Sequence, residues 1–245
     1  MIFGGTTEGR ELSRRLAEAG ADVTVSVASD YGSEEQGEQP GVTVLSGRMP
    51  VEEMTARLGE MDLCVDATHP YAARVTASIA RACEESGTPR LRLLREKSEY
   101  PAGTLVLESA AEAAEYLADK PGNILLTTGA KELSAWAALP PERLFPRVLP
   151  SHESLSACEA LGIPHRNICA MQGPFSQAMN EALLRQYEIA WLVTKDGGAP
   201  GGFPEKRAAA EALDVPMLVL RRPEEEGEGF ETVLAACLER MKEET

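Results

Sequence analysis

Histidine, tryptophan and cysteine are all scarce: 3, 2 and 5 copies in 245 residues, with 24 lysines and arginines against 39 aspartates and glutamates. Each shortage removes a class of function. A formal charge of −15 opposes nonspecific association with nucleic acid or an anionic membrane surface, because both need a basic field. Any anionic ligand must therefore meet a local cluster of cations. Cys64, Cys83, Cys158, Cys169 and Cys237 are scattered and form no C-x-x-C pair. Neither a zinc site nor a disulfide framework is expected, and a reducing cytoplasm fits best. His69, His152 and His165 lack metal-ligand spacing, so redox chemistry would call for an organic cofactor. No apolar run reaches the ~18 residues of a bilayer span, and no signal-like segment precedes the first apolar stretch, so the chain is expected to begin inside its fold.

What is present is alternation. Strand-like apolar runs and helical patterns succeed one another from end to end, which predicts an α/β protein with mainly parallel sheets. In the first half the pattern predicts strands over 1–3, 22–27, 42–45, 63–67 and 90–94, with helices over 9–19, 51–58 and 71–86. A polar stretch over 95–103 interrupts it, and a second unit follows. Its strands are expected at 123–128, 144–148, 167–171, 189–194 and 217–220, and its helices at 131–138, 151–161, 175–186, 204–213 and 230–242. This gives an N-terminal nucleotide-binding domain over 1–97 and a C-terminal α/β domain over 98–245. The glutamate runs Glu34, Glu35, Glu38 and Glu224, Glu225, Glu226, Glu228 read as solvated loops without function.

The most informative stretch is Gly4-Gly5-Thr6-Thr7-Glu8-Gly9-Arg10, a glycine-rich turn between an apolar start and an amphipathic helix. It matches G-x-G-x-x-G in part: Gly4 and Gly9 occupy the first and third places, and Thr6 the middle one. Backbone N–H groups at a helix start favour an anion, so the turn is a candidate pyrophosphate cradle in which the Thr6 hydroxyl could act as a donor. Glycine for turn geometry alone is the competing explanation. In an open parallel sheet ligands bind beyond the carboxyl ends of the strands. The other turns at those places are Asp66-Ala67-Thr68-His69-Pro70-Tyr71-Ala72, Thr127-Thr128-Gly129-Ala130-Lys131-Glu132, Met171-Gln172-Gly173-Pro174-Phe175-Ser176 and Thr194-Lys195-Asp196-Gly197-Gly198. Five such turns imply a cleft.

Taken together, G-G-T-T-E-G-R, D-A-T-H-P-Y-A, T-T-G-A-K-E-L, M-Q-G-P-F-S and T-K-D-G-G resemble the precorrin-6A reductase and cobalt-precorrin-6A reductase family of cobalamin biosynthesis, in order and through both halves. The resemblance implies two Rossmann-like domains with an interdomain cleft, NADPH or NADH as cofactor and a tetrapyrrole as substrate. One carbon–carbon double bond of the macrocycle would be reduced by hydride transfer. By the same resemblance Gly4, Gly5, Thr6, Thr7, Glu8, Gly9 and Arg10 would hold the cofactor pyrophosphate, and His69 and Tyr71, with Thr68 and Pro70, would line its ribose or nicotinamide side. Thr128, Gly129 and Lys131 would face cofactor or substrate, with Lys195 pairing a phosphate or a substrate carboxylate. Gln172, Gly173, Pro174, Phe175, Ser176, Asp196, Gly197 and Gly198 would contact substrate.

Because the tetrapyrrole carries acetate and propionate arms, local cations are required; Arg10, Arg74, Lys131, Arg147, Lys195 and Lys206 are the candidates. Proton delivery could use Asp196, His69, solvent or a substrate carboxyl. Asp30, which follows Ser29 after the second strand, lies near the ~20-residue offset at which an acid accepts the ribose 2′-hydroxyl of NAD, so NADH is expected to serve at least as well as NADPH. The competing readings are a nucleotide-sugar glycosyltransferase and a non-catalytic two-domain protein that closes on a small anion.

Overall fold

The computed structural model describes residues 1–95, 98, 100 and 104–243, the last without its side chain. The N-terminal elements run β1 (Ile2–Phe3), α1 (Thr7–Glu18), β2 (Val23–Val27), α2 (Asp30–Gln36), β3 (Val42–Ser46), α3 (Val51–Leu58), β4 (Cys64–Asp66), α4 (Ala73–Ser86) and β5 (Arg90–Arg92). The chain continues through β6 (Leu105–Leu107), α5 (Ala110–Leu117), β7 (Asn123–Leu126), β8 (Leu144–Val148), α6 (His152–Ala160) and β9 (Cys169–Ala170). It ends with α7 (Gln177–Gln186), β10 (Ile189–Lys195), α8 (Phe203–Ala212), β11 (Met217–Leu220) and α9 (Phe230–Glu243). These elements form two compact α/β units: Met1–Glu96 with Pro223–Thr245, and Lys97–Arg222.

In the first unit five parallel strands lie in the order β3-β2-β1-β4-β5. Period-two alternation sorts their side chains between two faces. Ile2, Val25 and Val65 pack with Leu12 and Leu16 of α1, whereas Phe3 and Cys64 pack with Met54, Leu58 and Ile79 from α3 and α4. The second unit has the order β6-β11-β10-β7-β8-β9, again parallel. Ile124, Leu126 and Val193 face Trp136 and Cys158 on one side, and Leu125, Phe145 and Leu192 face Leu184 and Ala209 of α7 and α8 on the other.

The sequence pattern assigns all of 98–245 to the C-terminal domain, and the structure corrects this: Pro223–Thr245 belongs to the N-terminal unit. The reason is apolar. Val233, Leu234 and Cys237 of α9 are buried in the same cluster as Ile2, Leu12 and Val25. The segment before α9 is stitched to the edge of that sheet, with Glu228 N donating to Arg92 O at 2.9 Å and Leu94 N donating to Glu228 O at 2.8 Å. Gly227 permits the approach, since a Cβ there would lie 2.7 Å from the Arg92 carbonyl oxygen. Glu225, read from sequence as solvated, accepts from Arg92 Nη2 at 2.6 Å.

Other differences are local. The polar helix α2 and the pair β6–α5 are missing from the sequence reading, although Ser109 Oγ caps α5 by accepting from Glu112 N while Glu112 Oε2 accepts from Glu108 N. The predicted helix over 131–138 is a 3-10 helix, Ala130–Trp136. Leu133 and Trp136, three residues apart and eclipsed on the tighter helix, are buried, as is Leu139 beyond its end. Helices expected from 71 and 175 begin at Ala73 and Gln177, and the strand over 167–171 shortens to Cys169–Ala170.

Replacing Leu234 by Ala removes a buried side chain from the N-terminal core, at an expected cost of ~2–5 kcal/mol. Hydrogen exchange should then quicken in β1 and β2 first; quickening confined to β7 and β10 would contradict the assignment of α9.

Candidate active site

Strand order fixes which turns meet. In the first unit the chain reverses direction between β1 and β4, and Phe3 registers with Asp66, so Gly4–Gly9 and Asp66–Tyr71 leave the sheet side by side. In the second unit the reversal falls between β7 and β10, where Leu126 registers with Val193. There Thr127–Gly129 and Lys195–Gly198 emerge together. Such reversals are where open parallel sheets bind ligands.

The glycine loop makes a tight turn between β1 and α1. Gly5 adopts φ +101° with open space where a Cβ would be, so a side chain is excluded by backbone strain and not by crowding. A Cβ on Gly9 would lie 3.0 Å from the Ala67 Cβ, which accounts for glycine where α1 presses on β4. Thr6 caps α1, its Oγ1 accepting from Gly9 N at 3.1 Å and donating to Ala67 O at 2.8 Å. The hydroxyl thus joins the two turns, which corrects its reading as a donor to phosphate. Thr7 and Glu8 open the helix behind it.

Glu8 carries a paired charge. Arg95 Nε and Nη2 donate to its two oxygens at 2.6 Å each. Burial pushes the Glu8 carboxyl up, but the Arg95 hydrogen bonds and charge outweigh it, with a smaller contribution from His69, and hold it below the ordinary range. Glu8, Arg95 and His69 therefore form one electrostatic group. Sequence reading passed over Arg95 as linker. Arg10, expected at the phosphate, instead donates through Nη1 to the Glu35 carbonyl at 2.7 Å and braces α2. Ser29 caps α2 by accepting from Gly32 N, and Asp30, exposed at its first position, accepts from Ser46 Oγ at 2.9 Å.

The Asp66–Tyr71 turn is built around a buried pair. Asp66 Oδ1 accepts from Thr68 N, Thr68 Oγ1 and Arg92 Nη1 at 3.1, 2.7 and 3.2 Å. Arg92 Nη1 also donates to the carbonyls of Asp66 and Thr68 at 3.0 and 2.9 Å. Thr68 is thereby engaged in shaping the turn, beside buried Pro70. His69 is half-buried, and its Nδ1 accepts from Tyr71 N at 3.3 Å, which places the proton of the neutral ring on Nε2. The Tyr71 ring lies 5.6 Å from it.

The second unit repeats the device. Asp196 is fully buried, with Oδ1 accepting from Ser98 Oγ at 2.6 Å and Gly198 N at 3.0 Å. Its Oδ2 accepts from Ser98 N and Tyr100 Oη at 3.1 Å each and pairs with Arg222 at 3.5 Å. Burial pushes the carboxyl up, while the Ser98 and Gly198 hydrogen bonds and the Arg222 charge bring it below its ordinary value. A carboxylate so saturated with donors is a turn organiser, which removes Asp196 from the candidate proton donors. Lys195 pairs with Glu132 at 3.0 Å, joining the two turns at the reversal. Gly197 and Gly198 are buried, and Gly198 takes φ +64°. Thr128 is buried with no partner for its Oγ1 among the described residues, Gly129 has φ +82°, and Lys131 is exposed.

Gln172, Gly173 and Pro174 are exposed beyond β9, Gly173–Pro174 being a cis peptide. Ser176 caps α7, and the Arg147 guanidinium lies 4.2 Å over the Phe175 ring. Of the six candidate cations only Arg147 and Lys206 are buried. Burial lowers Lys206 to about 7, and the Arg147 charge is the neighbour that acts on it most strongly. Among the described residues no cluster of His, Cys, Asp or Glu could hold a metal ion, no helix is long and apolar enough to cross a membrane, and the five cysteines are buried and unpaired.

Comparison with known proteins shows the family and the fold. The family model described as precorrin-6x reductase CbiJ/CobK matches residues 1–238. A cobalt-precorrin-6A reductase of Methanothermobacter thermautotrophicus is 35% identical over 236 residues, which cover 94% of this chain and 78% of that protein. One from Priestia megaterium is 34% identical over 230 residues, covering 91% and 90%. A precorrin-6A reductase of Rhodococcus erythropolis is 33% identical over 242 residues, covering 91% and 88%. Among solved structures, one described as CobK precorrin-6A reductase superposes with a TM-score of 0.77 at 24% identity, over 98% of this chain and 96% of that one, and shares its fold.

Two substitutions test the electrostatics. Asp196→Asn should lower stability at neutral pH by ~3 kcal/mol, as expected when one partner of a buried pair is neutralised. Because the folded carboxyl lies below its ordinary value of 3.8, that stabilisation is present above 3.8 and lost as pH falls through the folded value, so acid denaturation profiles of variant and parent should converge there. Lys206→Met should do the opposite. Between about 7 and 10.5 the unfolded chain holds a proton that the folded one has released, so parental stability climbs across this window. The variant lacks the slope; its advantage in urea melts should be largest below pH 7 and shrink by ~1.4 kcal/mol per pH unit above it.

Proposed function

The chain belongs to the precorrin-6x reductase CbiJ/CobK family, and from that premise we propose that it reduces one carbon–carbon double bond of precorrin-6A or its cobalt form with NADH or NADPH. The observation that carries this reading is the placing of the glycine loop beside the Asp66–Tyr71 turn at the strand reversal of the first unit.

Gly5, with open space where a Cβ would lie, leaves room for a dinucleotide pyrophosphate against the first turn of α1, while Gly4 and Gly9 let the loop pack on β2 and Ala67, with Thr7 and Glu8 N–H groups at the positive end of the helix. Arg95 neutralises Glu8, so the glutamate does not repel the phosphates and the loop stays anchored. His69 and Tyr71, their rings tilted against each other on the neighbouring turn, line the ribose or nicotinamide side. Thr128, Gly129 and Lys131 with Lys195 are the contribution of the second unit to cofactor binding, and Gln172–Ser176 with Gly197 and Gly198 its contribution to substrate. A reduced nicotinamide, when bound, supplies the hydride. The remaining work of the chain is positioning, exclusion of water and delivery of one proton to the adjacent carbon. With the Asp196 carboxylate committed to its own turn, the His69 Nε2 proton is the protein group that fits this last task.

Cofactor choice rests on Asp30. It stands at the start of α2 beyond β2, and its exposed carboxylate suits a ribose 2′-hydroxyl and repels a 2′-phosphate.

The deciding experiment is an anaerobic assay of precorrin-6A and cobalt-precorrin-6A with each nucleotide, following loss of absorbance at the reduced pyridine band. Turnover is expected with at least one macrocycle, with NADH at least as effective as NADPH, and Asp30→Ala should lower the NADH/NADPH ratio of kcat/KM about tenfold. Failure to oxidise either nucleotide with either macrocycle rejects the reductase reading. A strong NADPH preference that Asp30→Ala leaves unchanged rejects the role of Asp30 alone.

A further inference from the structure

Strand order places Glu8 and Arg95 on either side of the turn that carries His69. Glu8 follows β1 in the first turn of α1, Arg95 lies just beyond β5, and β4 runs between those two strands. The two side chains nevertheless meet. Arg95 Nε and Nη2 each donate to a separate Glu8 oxygen at 2.6 Å, with 8% and 19% of the two side chains exposed. The forked pair therefore spans the carboxyl end of β4, from which Asp66–Tyr71 departs. On the α1 side the turns touch directly. Thr6 Oγ1 donates to Ala67 O at 2.8 Å, and a Cβ on Gly9 would lie 3.0 Å from the Ala67 Cβ. The residues that bracket Glu8 are thus both in contact with the strand end just before His69, and the positive form of His69 helps to lower the Glu8 carboxyl.

The other charges around this turn cancel among themselves. Among the described residues, Asp66 pairs with Arg92 beneath the turn, Arg92 also holds Glu225, and Arg90 lies 3.9 Å from Asp66 Oδ2. Two carboxylates thus meet two guanidiniums. Arg10 of α1 turns away to Glu35, Arg74 of α4 is exposed, and the Tyr71 phenol ring lies on the same turn as His69. The balance of charge beside the imidazole is left to Glu8 and Arg95. We propose that Glu8 and Arg95 are positioning residues for His69, a strap that holds its turn between β1 and β5 and keeps the charge beside the ring balanced. The task given to the ring rests on the reductase reading; the strap rests on strand order and hydrogen bonds. Glu8 without its arginine would favour the imidazolium and Arg95 without its carboxylate would disfavour it, so each residue offsets the other. A proton donor works best with a proton affinity near the working pH, which either charge alone would displace.

The test is proton NMR titration of the histidine rings of the full-length protein, without nucleotide or macrocycle. The chain has 3 histidines, and His69→Gln identifies the resonance of interest. Glu8→Gln is expected to lower the His69 midpoint by at least ~0.5 pH unit and Arg95→Gln to raise it by as much, while the double variant returns to within ~0.2 unit of the parent. Arg95→Lys keeps the charge and should also stay within ~0.2 unit, which covers the case in which Arg95→Gln does not fold. A pair that served only to anchor the loop would move both single variants the same way or neither. Either result overturns the proposal, as does an Arg95→Lys midpoint displaced as though the charge were lost. In turnover, the ionisation that limits kcat should follow the His69 midpoint from variant to variant; a limb that stays in place while the ring shifts overturns the proposal as well. The reductase reading fails separately: a parent that oxidises neither nucleotide rejects that reading, while opposed histidine shifts in the same protein keep the strap.

Discussion

In both units the functional turns depend on one interaction, a buried aspartate at the carboxyl end of a central strand neutralised by an arginine of the neighbouring strand or the residues just after it. Asp66 ends β4 and pairs with Arg92 of β5; Asp196 follows β10 and pairs with Arg222 just beyond β11. In each, the aspartate Oδ1 also accepts from the N–H two residues on, Thr68 or Gly198, which bends the chain away from the sheet. An unpaired carboxylate at either place would be too costly to bury, and an arginine without it equally so. The pair therefore fixes where the turn goes, and with it the position of His69 and Tyr71 in one unit and of Lys195 and Gly198 in the other.

The arginines reach further than their partners. Arg92 also holds Glu225, and so ties the C-terminal return segment to the edge of the first sheet before α9 closes its core. A local turn and a long-range chain connection thus share one guanidinium. In a protein of net charge −15 many cations pair with acids at the surface, as Arg14 does with Glu11 and Glu18 and Arg57 with Glu53, but others do not. Arg92, Arg95, Arg147, Lys206 and Arg222 are withdrawn into the interior near strand ends, where low polarity strengthens each interaction they make.

Much of the fold was legible because its signals are local. Alternating valines over 23–27, the glycine after a helical run at Gly20 and the Gly87-Thr88-Pro89 stop each report on a few neighbouring residues. Elements without an apolar stripe were hidden: α2 is polar throughout, and its existence depends on the Ser29 cap and the Arg10–Glu35 brace. The 3-10 geometry of Ala130–Trp136 was likewise set by packing, since Leu133 and Trp136 must enter one core. In the site, the turns were legible as unusual strings. The work of single residues was not: Thr6 and Asp196 look like ligand contacts in the sequence and prove to be engaged with protein partners.

The sequence by itself determined the α/β alternation, the five strand-end turns and the family to which they belong, because each of these is written in contiguous residues. Only the tertiary structure decided which turns stand together, that the last helix serves the first unit, and which cations are buried. The physical reason is that strand order, ion pairing and burial are settled between residues as distant in the chain as Arg92 and Glu225, whose attraction exists only once the strands have paired.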